Sequence, residues 1–448
     1  MEGQSIISVR ETLRDAHLGK DQMCLQCFHL VTKCEFRITH CGQMDDKPFM
    51  FHRHASIALL LLLNLTAALQ AQASRPEPQS ATAANPPAPR NILFDWARSS
   101  RIRAAYMGPS DSDWLPHMQN VGMNTAMVKV GVPVTMTNLE QNRLAMMAAQ
   151  CHRHNLAFVP VINFWASERV EFPNYRRYVD AKGQTTEAYP CPMDYRLYMN
   201  FLKPRLENLA FYKPDGIVID LEFYLPDRPG RYLGSCYCDS CLDSFKAISL
   251  SAFKELSSAD LRNMLREEPA LDKAFYLYQR DTVAGYARHL RQNVVPKNIA
   301  IGAFFLDLST WHGKPIAFYD GLAMGLGTED TPALAFSESL YTGRHREFAG
   351  KRREMKWAEY LQQAQQDFDS LPAKVILVPG LGNRYLDPDQ IATLATGYAK
   401  ASGGFWIFTL SDFNPELKVP LKGTIRDFFN AYKKACQNLD TFSAAGEE

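Results

Sequence analysis

At 448 residues the chain has room for two or three domains, or for one large α/β barrel with extensions. Its 49 Lys and Arg offset 48 Asp and Glu to a net charge of +1, so no basic surplus recommends a nucleic acid or an anionic membrane as partner. Hydrophobic residues at 46% supply a large core, and aromatics at 11% suit a carbohydrate cleft.

Residues 1–49 carry Cys24, Cys27, Cys34 and Cys41 with His29 and His40, a spacing that could hold zinc. A zinc module ahead of an export signal makes little sense, so the segment reads as a disordered extension or a mis-assigned start. From Met50 a short basic region around Arg53 leads into the apolar run Ile57–Leu63, which weakens towards Leu69 and ends at Ala71-Gln72-Ala73. That is the layout of a signal peptide over 50–73, cleaved after Ala73, and it predicts a secreted or periplasmic protein. The run is short for a membrane span, so none is expected in the mature chain. If the first 49 residues are real, Ile57–Leu69 could instead be an uncleaved anchor. Residues 74–94 follow as a Pro/Ala-rich linker.

Beyond it, short apolar runs alternate with helical patterns. Strands are predicted at Ile102–Met107, Thr125–Val130, Ala157–Asn163, Ile217–Glu222, Ile299–Phe305, Ala333–Ser337, Lys374–Val378 and Gly404–Thr409. Helices are predicted near 111–122, 138–154, 193–212, 270–293, 316–326, 351–370, 387–401 and 420–435. Eight such pairs over about 340 residues predict a single (β/α)8 TIM barrel, an α/β fold, spanning 95–438 with a disordered tail at 439–448. No G-x-G-x-x-G, P-loop, H-E-x-x-H or G-x-S-x-G is present, and no catalytic cofactor is expected.

The fourth strand organises the site. In Pro214–Tyr224, Asp220 and Glu222 stand two apart, so on a strand both carboxylates share a face. The plain alternative is an edge strand with two solvated acids. Barrel chemistry gathers where strands end. The other ends carry Asn163 and Trp165, Tyr224, Asp307 with Trp311 and His312, Glu338 with Tyr341, Asn383 with Tyr385, and Asp412. Acids, amides and aromatics at one mouth suit a neutral sugar, although strand-end aromatics can equally cap a core. Trp406 lies within its strand and reads as core.

Cys236, Cys238 and Cys241 lie in the loop after strand four, and Cys191 in the loop after strand three. The four could close a tetrahedral zinc site, Cys191 could form a disulfide with one of the others, or all could stay free thiols. Each reading is structural, since four thiolates leave no open coordination position. Cys151 and Cys436 fall within helices and read as small buried hydrophobes.

Glu222 followed by Cys236-Tyr237-Cys238-Asp239-Ser240-Cys241 and Phe245 resembles the glycoside hydrolase superfamily barrels, especially the family 42 β-galactosidases and the uncharacterised glycosidase-like barrels around them. Asp215 to Glu222 is similar to the family 18 chitinase signature DGxDxDxE, with Val218 in place of the first internal Asp. The family 42 resemblance implies zinc on Cys191, Cys236, Cys238 and Cys241, and an acid/base role for Glu222. Two departures stand out. Leu221 replaces the Asn that precedes the acid, and strand seven carries no acid where that family keeps its nucleophile.

The expected mechanism has Glu222 protonate the leaving oxygen, with Asp220 raising its pKa. Glu338, or failing that Asp412, is the opposing carboxylate; a salt bridge from Glu338 to Arg344 or Arg384 is the alternative use of that residue. A gap of about 5 Å between carboxyls means retention, and about 6.5–9.5 Å means inversion. Without a second acid, the chitinase-like signature suggests the substrate's own acetamido group as nucleophile. The predicted function is therefore a secreted glycoside hydrolase, and the rival is a carbohydrate-binding barrel that has lost its nucleophile.

Overall fold

Eight of the apolar runs pair edge to edge until the last meets the first. The computed structural model describes residues 92–131, 136–163, 175–220, 234–248, 253–305, 316–328, 330–338, 341, 344–348 and 351–445. The proposed signal peptide and the cysteines before it lie outside the described residues.

In chain order the strands are β1 (Ile102–Met107), β2 (Thr125–Val130), β3 (Ala157–Asn163), β4 (Arg177–Val179), β5 (Thr185–Pro190), β6 (Gly216–Asp220), β7 (Ala300–Phe305), β8 (Ala333–Ser337), β9 (Arg344–Phe348), β10 (Lys351–Lys356), β11 (Val375–Gly382) and β12 (Gly404–Phe408). The helices are α1 (Ile92–Arg98), α2 (Leu115–Asn120), α3 (Asn138–Arg153), α4 (Lys203–Phe211), α5 (Asp239–Ile248), α6 (Ser258–Glu267), α7 (Pro269–Asn293), α8 (Ala317–Leu326), α9 (Trp357–Asp369), α10 (Pro388–Ala401) and α11 (Ile425–Ala445). The closed barrel runs β1-β12-β11-β8-β7-β6-β3-β2, and every pairing in it is parallel. The expected TIM barrel is the observed fold.

Strands covered by helices outside and side chains inside must be apolar on both faces, and every residue of β1, β6, β7 and β8 is buried. Alternate residues fill the interior: Ala104, Tyr106, Met127, Val159, Val161, Val218, Phe304, Leu334, Phe336, Val378 and Trp406 form one cluster. Trp406 is core, as its sequence position suggested. At the seam where β12 meets β1, Gly404 has φ +141°, and a Cβ there would sit 2.1 Å from the Ile102 carbonyl oxygen. Only glycine closes the barrel at that point.

Helix starts follow local chemistry. Thr137 with Glu140, and Asp387 with Gln390, form reciprocal capping boxes, and Pro388 opens α10. Elsewhere the boundaries differ from expectation. The linker expected to 94 yields to α1, whose Leu93, Phe94 and Ala97 join the barrel cluster, with Leu93 against the start of β6. Residues 439–445 are helical rather than a disordered tail. Phe428, Tyr432, Ala435, Cys436 and Leu439 lie on one buried stripe of α11, and Arg103 pairs with Asp440. Lys351–Lys356 is a strand paired with Arg344–Phe348, where a helix start was expected. Lys and Arg favour helices locally, and the ladder overrides that preference. A second antiparallel hairpin, β4–β5, was not foreseen. β11 runs four residues further than expected: Pro379 stands opposite Ser337, the last residue of β8, and Gly380–Gly382 continue in register with Trp406–Phe408 of β12. Among the described residues, no helix is long and apolar enough to cross a membrane.

On the wholly buried α8, Asp320 accepts a hydrogen bond from the Tyr276 hydroxyl of α7. Burial pushes its carboxyl up to about 6, against smaller opposing effects of Tyr276 and Arg280. The native state therefore holds this proton longer than the unfolded chain, and stability falls as pH rises from about 4 to about 6, remaining reduced above. Asp320→Asn keeps an acceptor for Tyr276 and removes the charge. It is expected to stabilise the protein at pH 7.5 by up to about 3 kcal/mol, and by little near pH 4. Urea unfolding at the two pH values measures the difference; equal effects at both would refute the assignment.

Candidate functional site

Strand periodicity carries the inward face to the mouth. Val218 and Phe336 point into the barrel, so Asp220 and Glu338, each two residues on, share that face at the C-terminal ends of β6 and β8. The Glu338 N–H still bonds to the Phe305 carbonyl, which extends the β8 ladder by one residue. Both acids are largely buried, Asp220 at 3% and Glu338 at 9% exposure. Asn163 ends β3 in register with Asp220. Trp165, Glu222, Tyr224, Asp307, Trp311 and His312 lie outside the described residues.

Tyr341 organises the ground around Glu338. Its hydroxyl donates to Glu338 Oε1 at 3.0 Å, and its ring stacks on Phe408 at 5.0 Å and 13°. Trp406 meets the same ring edge-on at 5.3 Å. Gly380 makes this possible, since a Cβ there would come within 2.7 Å of both Tyr341 and Trp406. An acid on β11 at that inward position would displace the tyrosine.

Arg384 does not pair with Glu338, the alternative considered for that acid. Its Nε donates to Asp412 Oδ1 at 2.8 Å and its Nη2 lies 2.7 Å from the same oxygen. The Asp412 side chain is fully buried while that of Arg384 is 43% exposed. Asp412, expected to touch substrate, thus backs an arginine. Asn383, another expected contact, is buried behind the wall: its amide donates to the Thr409 carbonyl at 3.1 Å and accepts from the Tyr432 hydroxyl at 2.7 Å. Tyr385 is 46% exposed. Sequence reading missed Asp111, which takes hydrogen bonds from Gly108 N–H at 2.7 Å and Ser411 Oγ at 2.5 Å, tying the β1 loop to the β12 loop. Its place three residues after Gly108 was the available signal.

The four cysteines do converge. Cys191, Cys236, Cys238 and Cys241 are all buried, with Sγ atoms within 4.8 Å of one another. Sγ separations of 3.4 Å (Cys191–Cys241), 3.5 Å (Cys238–Cys241) and 3.9 Å (Cys191–Cys238) are longer than the roughly 2.05 Å of a disulfide. They suit a tetrahedron with arms of about 2.3 Å, whose edges are about 3.8 Å. Gln279 of α7 brackets Cys236, accepting from its N–H at 3.0 Å and donating to its carbonyl at 2.6 Å. Hydrogen bonds from Cys191, Cys236 and Cys241 hold the Cys238 thiol well below the ordinary range, and burial pushes Cys191 up. Such a set could hold zinc, binding the loop after β5 to the start of α5. Cys151 and Cys436 are buried away from it, within helices.

No family model matches the chain, and no curated protein matches it. Among solved structures it is similar to the catalytic domain of a β-amylase from Paenibacillus polymyxa, with TM-score 0.51 and 14% identity over 74% of this chain and 97% of that one. More distant likenesses include a GH5-4 endoglucanase from Clostridium longisporum, with TM-score 0.39 and 10% identity over 80% and 88% of the two chains. A β-mannanase from Thermomonospora fusca gives TM-score 0.35 and 10% identity over 69% and 78%. At such identities the likeness establishes the barrel fold. The resemblances to families 42 and 18 in particular gain no support from it.

Proposed function

We propose that the chain is a glycoside hydrolase that cleaves an O-glycosidic bond by carboxylate catalysis. The observation that carries this reading is the pair of inward-facing acids at the mouth, Asp220 on β6 and Glu338 after β8, separated by the single strand β7. Adjacent strands lie about 4.8 Å apart, so these backbones stand about 10 Å apart and leave a sugar-sized gap for the side chains to bracket.

In this reading Glu222, two residues beyond Asp220, protonates the departing oxygen. Asp220 keeps that proton in place through like-charge coupling. Glu338, oriented by the Tyr341 hydroxyl, is the opposing carboxylate. It is a better choice than Asp412, whose carboxylate is enclosed and taken up by Arg384. The four cysteines hold a structural zinc that stiffens the loop behind the acid-bearing strand and takes no part in the reaction. The leader at Met50 delivers the protein outside the cytoplasm.

A second reading keeps the scaffold without the chemistry. It is favoured by β11, which ends Leu381-Gly382 with no acid. A panel of aryl glycosides and oligosaccharides, assayed for cleavage and for binding, separates the two. The wild type is expected to hydrolyse at least one member, with Glu222→Gln losing about 10³-fold or more of the rate and retaining binding. Binding without cleavage by the wild type would instead establish the carbohydrate-binding barrel.

A further inference from the structure

We propose that Arg384 is the anchor for a carboxylate on the substrate, so that the barrel acts on glycans containing uronic acid units. This deepens the glycosidase reading and rests on it.

The argument begins with the guanidinium edges. Nε and Nη2, the side-on edge, are directed at one oxygen of Asp412. The end-on edge, Nη1 with the outer hydrogen of Nη2, faces away from that carboxylate on a side chain 43% exposed. Two parallel N–H groups in one plane match the two oxygens of a carboxylate. Because Asp412 is fully buried, the fork is fixed before any ligand arrives, and little side-chain entropy is lost on binding.

Position follows from the aromatic stack. Arg384 Cζ lies 6.0 Å from the centroid of Phe408, Phe408 stacks on Tyr341, and Tyr341 holds Glu338. The cation therefore connects to the proposed opposing carboxylate through one stacked ring pair, Phe408 and Tyr341.

The test uses matched pairs: hexuronate oligosaccharides and their carboxyl-reduced counterparts, identical in linkage, with binding to the full chain measured by calorimetry. The wild type is expected to bind the acidic member about 30-fold more tightly, a preference weakened by salt. Arg384→Gln is expected to collapse that preference to below about threefold, and Arg384→Lys to leave an intermediate one, since the charge survives without the fork. Should the glutamine variant fold poorly around the buried Asp412, Arg384→Gln with Asp412→Asn removes the stranded charge and makes the same reading. Equal affinity for both members, or a preference that Arg384→Gln leaves intact, overturns the acidic assignment while sparing the glycosidase reading. If the wild type binds neither member, nor any glycan of the wider panel, the glycosidase reading itself falls and this inference with it.

Discussion

Glu338→Gln is expected to lower kcat by about 10³-fold, about 4 kcal/mol of transition-state stabilisation, with substrate affinity changed only a few-fold. Gln fills the same volume and can still take the Tyr341 hydrogen bond, so the packing of Tyr341 between Phe408 and Trp406 should persist. What disappears is the negative charge that, on the proposed mechanism, attacks the sugar or activates water against it. Shortening the side chain further tests the role by rescue. In Glu338→Ala, added azide or formate enters the vacated space and should restore part of the rate. Tyr341→Phe should cost about tenfold, since it leaves the carboxylate in place and removes only the group that orients it. Single-turnover assays on the best oligosaccharide of the panel separate chemistry from binding. Activity of Glu338→Gln within threefold of wild type would remove Glu338 from the mechanism and return the search to the loops after β6 and β7.

Serine at Cys238 is expected to abolish stoichiometric zinc and to lower the melting temperature by about 5–10 °C. The physical case is the crowding of four thiols in a buried site, with Arg176 as the cation felt by Cys191, Cys241 and Cys238. Four thiolates repel one another there unless a dication neutralises them. Protonated, they give up much of the reason for the tight cluster. The proposed metal would bind the loop after β5 to the start of α5, and its loss would loosen the Cys236 segment that Gln279 holds. Elemental analysis of the purified wild type should return one zinc per chain, and a strong chelator should reproduce the serine variant's melting temperature. Cys436→Ser serves as the control, because that thiol packs in α11 and should leave the zinc content unchanged. Wild-type protein that carries no zinc, or loses none of its stability to the chelator, would refute the metal.

Much of the scaffold was legible in the chain. The barrel strands are short, mostly buried apolar runs, and some of the helices between them start at caps written in adjacent residues, such as Thr137 with Glu140 and Asp387 with Gln390. The two hairpins were not legible. β9 and β10 are charged and short, and nothing local distinguishes them from the start of a helix. The end of α11 was misread for a related reason: Leu439 and Asp440 acquire meaning only against the barrel, where one is covered and the other meets Arg103.

At the site, the sequence by itself determined which strand ends carry acids and that four cysteines share two neighbouring loops, because both follow from alternation and chain order. Only the tertiary structure decided that Arg384 belongs to Asp412 and not to Glu338, that Asn383 is sealed against Tyr432, and that the four sulfurs meet. Those partners stand 28, 49 and up to 50 residues apart. Which of several nearby groups a side chain reaches depends on how the closed barrel orients its loops, and local backbone preferences extend only a few residues along the chain.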